Sequence, residues 1–96
     1  QQENAMALSK TTVVDKIEVL EKGQVQVRTA TRVMEDGVEL SSSFHRHVVE
    51  PSTKASGSWA DTDISGEDAR VQAIATATWT SAVKTAYQEM VDAQAI

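Results

Sequence analysis

The chain contains no cysteine, so neither disulfides nor thiolate zinc sites can brace it. Its four glycines stand apart from one another, which excludes a glycine-rich phosphate cradle. No apolar run approaches the roughly 20 residues of a membrane-spanning helix. There is no G-x-S-x-G elbow, and no serine and acid are placed around either histidine, so nucleophilic catalysis has no constellation to rest on. Positive charge is scarce: 9 Lys and Arg face 14 Asp and Glu, for a net charge of −5. Phosphate contacts need clustered cations, so neither nucleic acid nor an anionic membrane is an expected partner. Residues Gln1 to Met6 lack the basic and apolar regions of a signal peptide. Gln1 to Ala5 read as a tag remnant, and residues 6–96 as a single domain beginning at Met6.

What is present is a division into two halves with different periodicities. Thr11 to Val49 alternates apolar and polar residues like strands, whereas Glu67 to Gln94 is rich in alanine and reads as helix. A chain of 96 residues buries a smaller fraction of its surface than a larger one. With no covalent brace, its stability must come from a compact sheet–helix core or from association with copies of itself. Charge follows the same division. From Lys10 to Val49 six acids balance six bases, while from Glu50 onward seven acids face only Lys54, Arg70 and Lys84.

The first strand, Thr11 to Leu20, places Val13, Ile17 and Val19 on one face, interrupted by Asp15, with Val14 and Leu20 adding apolar area to the outer face. Glu21-Lys22-Gly23 suits a three-residue loop closed by a left-handed glycine. That loop sets Val19 against Val25 and Ile17 against Val27. The second strand runs from Gln24 to Met34, and Asp36-Gly37 is a two-residue hairpin signal. A third strand from Val38 to Val49 then places Leu40 opposite Val33, Phe44 opposite Thr29, Arg46 opposite Val27 and Val48 opposite Val25. On this register Val27, Val33, Leu40 and Phe44 share a buried face, while Lys16, Arg28 and His45 point away.

Glu50 to Ser65 breaks all periodicity and reads as a flexible loop, 50–65, carrying Trp59. Ser65-Gly66-Glu67-Asp68 resembles a helix start with Ser65 as cap. Val71, Ile74, Ala75 and Thr78 keep helical spacing, and Thr80 can cap a second helix whose stripe is Val83, Tyr87, Met90 and Val91. The two helices either meet at an angle near Trp79-Thr80 or form one bent helix. One small apolar sheet face needs a cover, and these helices supply it. The expected fold is therefore α+β, a three-stranded antiparallel meander followed by two C-terminal helices packed on one face (βββαα).

Three features invite a chemical reading. His45 and His47, at i and i+2 of a strand, project from one face and can hold a metal from one side. Arg28 and Gln26 are their expected neighbours and no carboxylate is locally placed, so a polar sheet surface is the favoured reading. Asp61-Thr62-Asp63-Ile64-Ser65-Gly66 matches the first half of a calcium loop. Its eighth and twelfth positions are Asp68 and Gln72 rather than an apolar residue and a bidentate Glu, so an acidic turn, Asp61 to Asp68, is favoured. Trp59, Val14 and Leu20 are the candidate interaction residues, since tryptophan is enriched at interaction surfaces and outer-face apolars gain little in a monomer. No metal and no cofactor is expected.

The segments Lys10 to Val19, Val27-Arg28-Thr29-Ala30-Thr31, Glu35-Asp36-Gly37, Phe44-His45-Arg46-His47-Val48 and Glu67 to Ile74 together resemble small uncharacterised proteins of bacteriophages, notably marine ones. The resemblance spans most of Leu8 to Gln94, and Ser52 to Ser58 departs from it. It implies a virion- or tail-associated role, or an accessory protein made during infection, located in the virion or the host cytoplasm. It transfers no active site. The expected function is non-enzymatic, acting through a homo-oligomer (a dimer is the simplest) or through docking on other virion proteins. The alternative is a small ligand- or metal-binding domain using His45 and His47 or the acidic turn.

Overall fold

The computed structural model describes residues 8–94. In chain order its elements are β1 (Leu8–Val19), β2 (Val25–Glu35), β3 (Val38–Val49), β4 (Ser52–Ala55), β5 (Ser58–Asp61), α1 (Ala69–Thr78) and α2 (Ser81–Gln94). The fold is α+β: β1, β2 and β3 form an antiparallel meander in that order, and the two helices follow it. The expected tag remnant, Gln1 to Ala5, lies outside the described residues.

Both anticipated turns form as their residues require. Gly23 has φ +90, and its N–H donates to the Leu20 carbonyl at 2.9 Å, closing the Glu21-Lys22-Gly23 loop. Asp36 and Gly37 both take positive φ, 51 and 84, as a tight two-residue hairpin demands. The helices are separate and meet at Trp79-Thr80. Trp79 caps α1 through its N–H to the Ala75 carbonyl, and Thr80 Oγ1 accepts from Val83 N at 3.3 Å.

The register departs from the simple alternation at two bulges. Between β1 and β2, Val19 faces Val25 and Ile17 faces Val27, as the first turn dictates, but Asp15 is an extra residue. Beyond it Val14 opposes Thr29 and Val13 opposes Ala30. Val14 therefore turns to the inner face and is half-buried against the core, while Val13 is exposed on the outer face. This reverses the faces expected of Val13 and Val14. Between β2 and β3 the second bulge falls at Leu40: Glu39 pairs with Met34 but Ser41 pairs with Val33. Phe44 now opposes Ala30, His45 opposes Thr29, Arg46 opposes Arg28 and His47 opposes Val27. One added residue moves every following side chain to the other face. Phe44 and Leu40, expected in the core, are instead 50% and 55% exposed. Arg46 lies on the outer face with Arg28, and His45 joins the inner face.

The stretch expected to be a loop contains a second sheet. Ser52–Ala55 and Ser58–Asp61 pair as a hairpin, turned by Ser56 and Gly57 at φ 52 and 80. The helix start also shifts. Asp68 is the N-cap of α1 and accepts from Arg70 N at 2.9 Å, while Ser65, the expected cap, donates its N–H to Asp63 Oδ1.

The core sits at one end of the meander. Val25, Val27 and Val49 meet Val71, Ala75 and Trp79, with Val14, Ile17, Ile64 and Val83 partly buried around them. Each fully buried valine contributes about 1.5–3 kcal/mol relative to exposure. The Trp79 indole N–H donates to the Gly23 carbonyl at 2.7 Å, satisfying a buried donor and fixing α1 on the first turn. From about Thr29 to Glu35 the sheet runs on without helices over it. The molecule measures 65 × 27 × 23 Å with a radius of gyration of 18.8 Å, against about 12–13 Å for a compact chain of this length. A globular head thus carries a three-stranded arm extending about 20 Å, at 3.3 Å per residue.

Candidate functional site

The arm and the outer face of the sheet carry the chemistry that the head leaves uncovered. On the outer face Lys16, Arg28 and Arg46 stand directly opposite one another across three strands. Like charges facing each other are unfavourable, and the β1 bulge supplies the compensation. Asp15 accepts from Arg28 Nε at 3.0 Å and from its terminal nitrogen at 2.8 Å, a two-pronged pair. The hydrogen bonds from Arg28 hold the Asp15 carboxyl below the usual range, and the same pair raises Arg28. The Arg28 guanidinium also lies 4.4 Å from the Phe44 ring centroid, covering one face of an otherwise exposed aromatic. Lys16 approaches Glu18 at 3.8 Å. Among the described residues no ion pair involves Arg46. A shallow groove of about 210 Å³ runs along this cationic row.

Further along the arm the outer face bears Val13, Ala30 and Phe44 in one cross-strand row. Ala30 is fully buried there, outside the head's core, while Val13 and Phe44 are exposed on either side of it. Leu8, Val38 and Leu40 are 55–63% exposed around the tip. The inner face of the arm is polar, with Thr12, Thr31 and Ser43 in one row.

The histidines are not where the simple register put them. His45 and His47 lie on the inner face, with ring centroids 6.4 Å apart, and His47 Nε2 donates to Glu67 Oε1 at 2.8 Å. The carboxylate that the local sequence lacked comes from the turn before α1. The acidic turn does not converge: Asp61 pairs with Lys84 at 2.9 Å, and Asp63, held below the usual carboxylate range by the Ser65 N–H, caps its own turn. Among the described residues no cluster of three or more His, Cys, Asp or Glu is placed to hold a metal.

Of the candidate interaction residues, Trp59 is half-buried within β5 and committed to its own chain. Its ring meets Tyr87 edge-on at 6.1 Å, and its indole N–H donates to Asp92 Oδ2 at 3.3 Å. Lys54 bonds the other Asp92 oxygen at 2.9 Å, and both contacts keep the Asp92 carboxyl below the usual range. The Tyr87 hydroxyl donates to Glu50, and burial, with Glu50 second, pushes it up to about 12. Trp59 thus stitches the β4–β5 hairpin to α2. Val14 faces the core, and Leu20 stays exposed beside the first turn. Among the exposed residues that sequence reasoning placed inside are Val13, Leu40, Phe44 and Val48. Their signal is the break in alternation at Asp15 and Leu40, which a bulge explains.

No family model, curated protein or solved structure matches this chain. Among the described residues no helix is long and apolar enough to cross a membrane.

Proposed function

We propose that this protein is a non-enzymatic structural or accessory component of the bacteriophage kind that its resemblance implies, working by self-association or by docking on a virion or tail protein. The observation that carries the reading is the arm. Its strands extend well beyond the helices, leave two edges of unpaired backbone, and expose Leu8, Val13, Val38, Leu40 and Phe44. Exposed long edges pair with further strands unless they are blunted, and exposed apolar patches mark contact surfaces. The absence of a nucleophile–base arrangement in the sequence fits the same reading. The setting is the virion or the host cytoplasm.

Sedimentation velocity of the full chain, from low to tens of micromolar, tests the self-association branch, for which a concentration-dependent dimer or larger species is expected. Mass spectrometry of purified virions tests the docking branch. A chain that stays monomeric and is absent from virions overturns the proposal. The second reading, a small ligand- or metal-binding domain, draws on His45 and His47, whose rings lie 6.4 Å apart on one face. It predicts a rise in Tm with a divalent ion that His47→Ala removes, and it falls if no ion shifts the transition.

A further inference from the structure

The two edges of the sheet are unequal. On β1 the Asp15 bulge distorts the strand, and the Arg70 guanidinium bonds the Val14 carbonyl. Bulges and covering side chains are the usual means of blunting an edge. β3 has a bulge of its own at Leu40, but beyond it Ser41 to Arg46 pair regularly with β2 and are exposed, and no side chain among the described residues bonds their backbone. The stretch is small at its centre, Ser41-Ser42-Ser43. Apart from its histidines, its only charges are Glu39 at one end and Arg46 at the other. The Leu40 bulge puts both on the outer face: Glu39 opposes Met34 and Arg46 opposes Arg28, two β2 residues of the same parity.

We propose that β3 pairs with β3 of a second copy, antiparallel about a two-fold axis through Ser43, so that two meanders join into one six-stranded sheet. The proposal rests on the self-association reading above and names its surface. The strand is self-complementary in this register. Ser43 meets its own copy, Phe44 meets Ser42, His45 meets Ser41, and Arg46 meets the bulge at Leu40 and Glu39. Faces agree at each step, because Phe44, Ser42, Arg46 and Glu39 are all outer and His45, Ser43 and Ser41 all inner. Charges agree twice, since each Arg46 finds a Glu39. Within its own chain Glu39 lies 3.6 Å from Arg32 on the exposed surface, which leaves carboxylate capacity for a second cation. The axis perpendicular to the sheet sends the heads to opposite ends, each about 20 Å from Ser43 at 3.3 Å per residue, so they do not collide. The two Phe44 rings fall on the same outer face, near the axis.

The cysteine-free chain makes the test direct. In a Ser43→Cys variant the only available thiol partner is its own copy, and Cα atoms facing across an antiparallel pair stand about 4.5–5.5 Å apart, within disulfide reach. Mild oxidation should convert Ser43→Cys to a covalent dimer, while Thr12→Cys on β1 stays monomeric. Glu39→Arg alone and Arg46→Glu alone should each weaken the dimer about tenfold, each creating two like-charge contacts, and the double exchange should restore it to within about threefold. A wild-type chain that sediments only as monomer removes self-association and this interface with it. A wild-type dimer in which Thr12→Cys cross-links and Ser43→Cys does not leaves self-association intact and overturns the β3 interface. Failure of the double exchange to restore a cross-linkable dimer overturns the register.

Discussion

Gly23 and Gly37 have nearly the same backbone, φ +90 and +84, in opposite surroundings. A side chain at Gly23 would begin 2.6 Å from Val83 Cγ1 and 3.0 Å from Pro51, whereas one at Gly37 would meet nothing within 4 Å. The difference is that between head and arm. In the head, the first turn, Pro51 and the start of α2 close on one another, and the sheet's inner face is covered. In the arm the same strands continue with neither face covered by a helix. The head is held by burial, the arm chiefly by its ladder and by local pairs such as Arg32–Glu39. A region so built opens more readily than the core, because few apolar contacts back its hydrogen bonds. It also offers more to a second chain.

Four substitutions sharpen or break that contrast. Trp79→Ala removes a nearly buried indole and the hydrogen bond to Gly23, and should cost about 3–5 kcal/mol in denaturant unfolding. A loss under about 1 kcal/mol would mean the head is not organised around it. Gly23→Ala should cost more than Gly37→Ala. Both meet left-handed strain of about 1–2 kcal/mol, but only Gly23 adds a steric conflict. Equal losses would remove the distinction between the two ends. Phe44→Ala should cost less than about 1 kcal/mol in the monomer, far below the loss at a core phenylalanine, because its ring is half exposed and covered only by Arg28. A core-sized loss would restore the unbulged register.

The smallest effect is a pH dependence. Asp92, held low by Lys54 and Trp59, and Asp15, held low by Arg28, each have a folded pKa below the unfolded value. Their stabilisation is present above about pH 4, the unfolded aspartate range, and is lost as pH falls through the folded values. Asp92→Asn should flatten the acid limb of stability measured between about pH 5 and 2 without changing the slope near neutrality. An unchanged acid limb would show that the hairpin is not tied to α2 through Asp92.

Most of the architecture was legible in the residues. Glu21-Lys22-Gly23 and Asp36-Gly37 encode their turns through required backbone angles, and Thr80 marks the second helix through its hydroxyl. The bulges were not legible as such. A bulge is one extra residue with no compositional mark, and it inverts the meaning of all that follows. At Asp15 a clue existed, because an acid interrupted an apolar face and two valines stood side by side. At Leu40 the following Ser41-Ser42-Ser43 is polar in any register, so the error passed unopposed to Phe44, His45 and Arg46. The β4–β5 hairpin was hidden by its Ser-rich composition and by a turn that asks a serine, Ser56, to take positive φ. The Glu67 partner of His47 was invisible because the two lie 20 residues apart and meet only after α1 docks.

Hydrogen exchange of the backbone amides, followed over a range of protein concentrations, tests the central claim most directly. Val25 and Val27 in the head should be protected at every concentration, by the ladder and the core. The amides of alternate residues between Ser41 and Arg46 that point away from β2 should exchange rapidly when the protein is dilute and slow progressively as it is concentrated, while those bonded to β2 change less and Leu8 to Val13 show no matching change. Protection of β3 that does not change with concentration, or a change confined to β1 or the β4–β5 hairpin, would contradict the account.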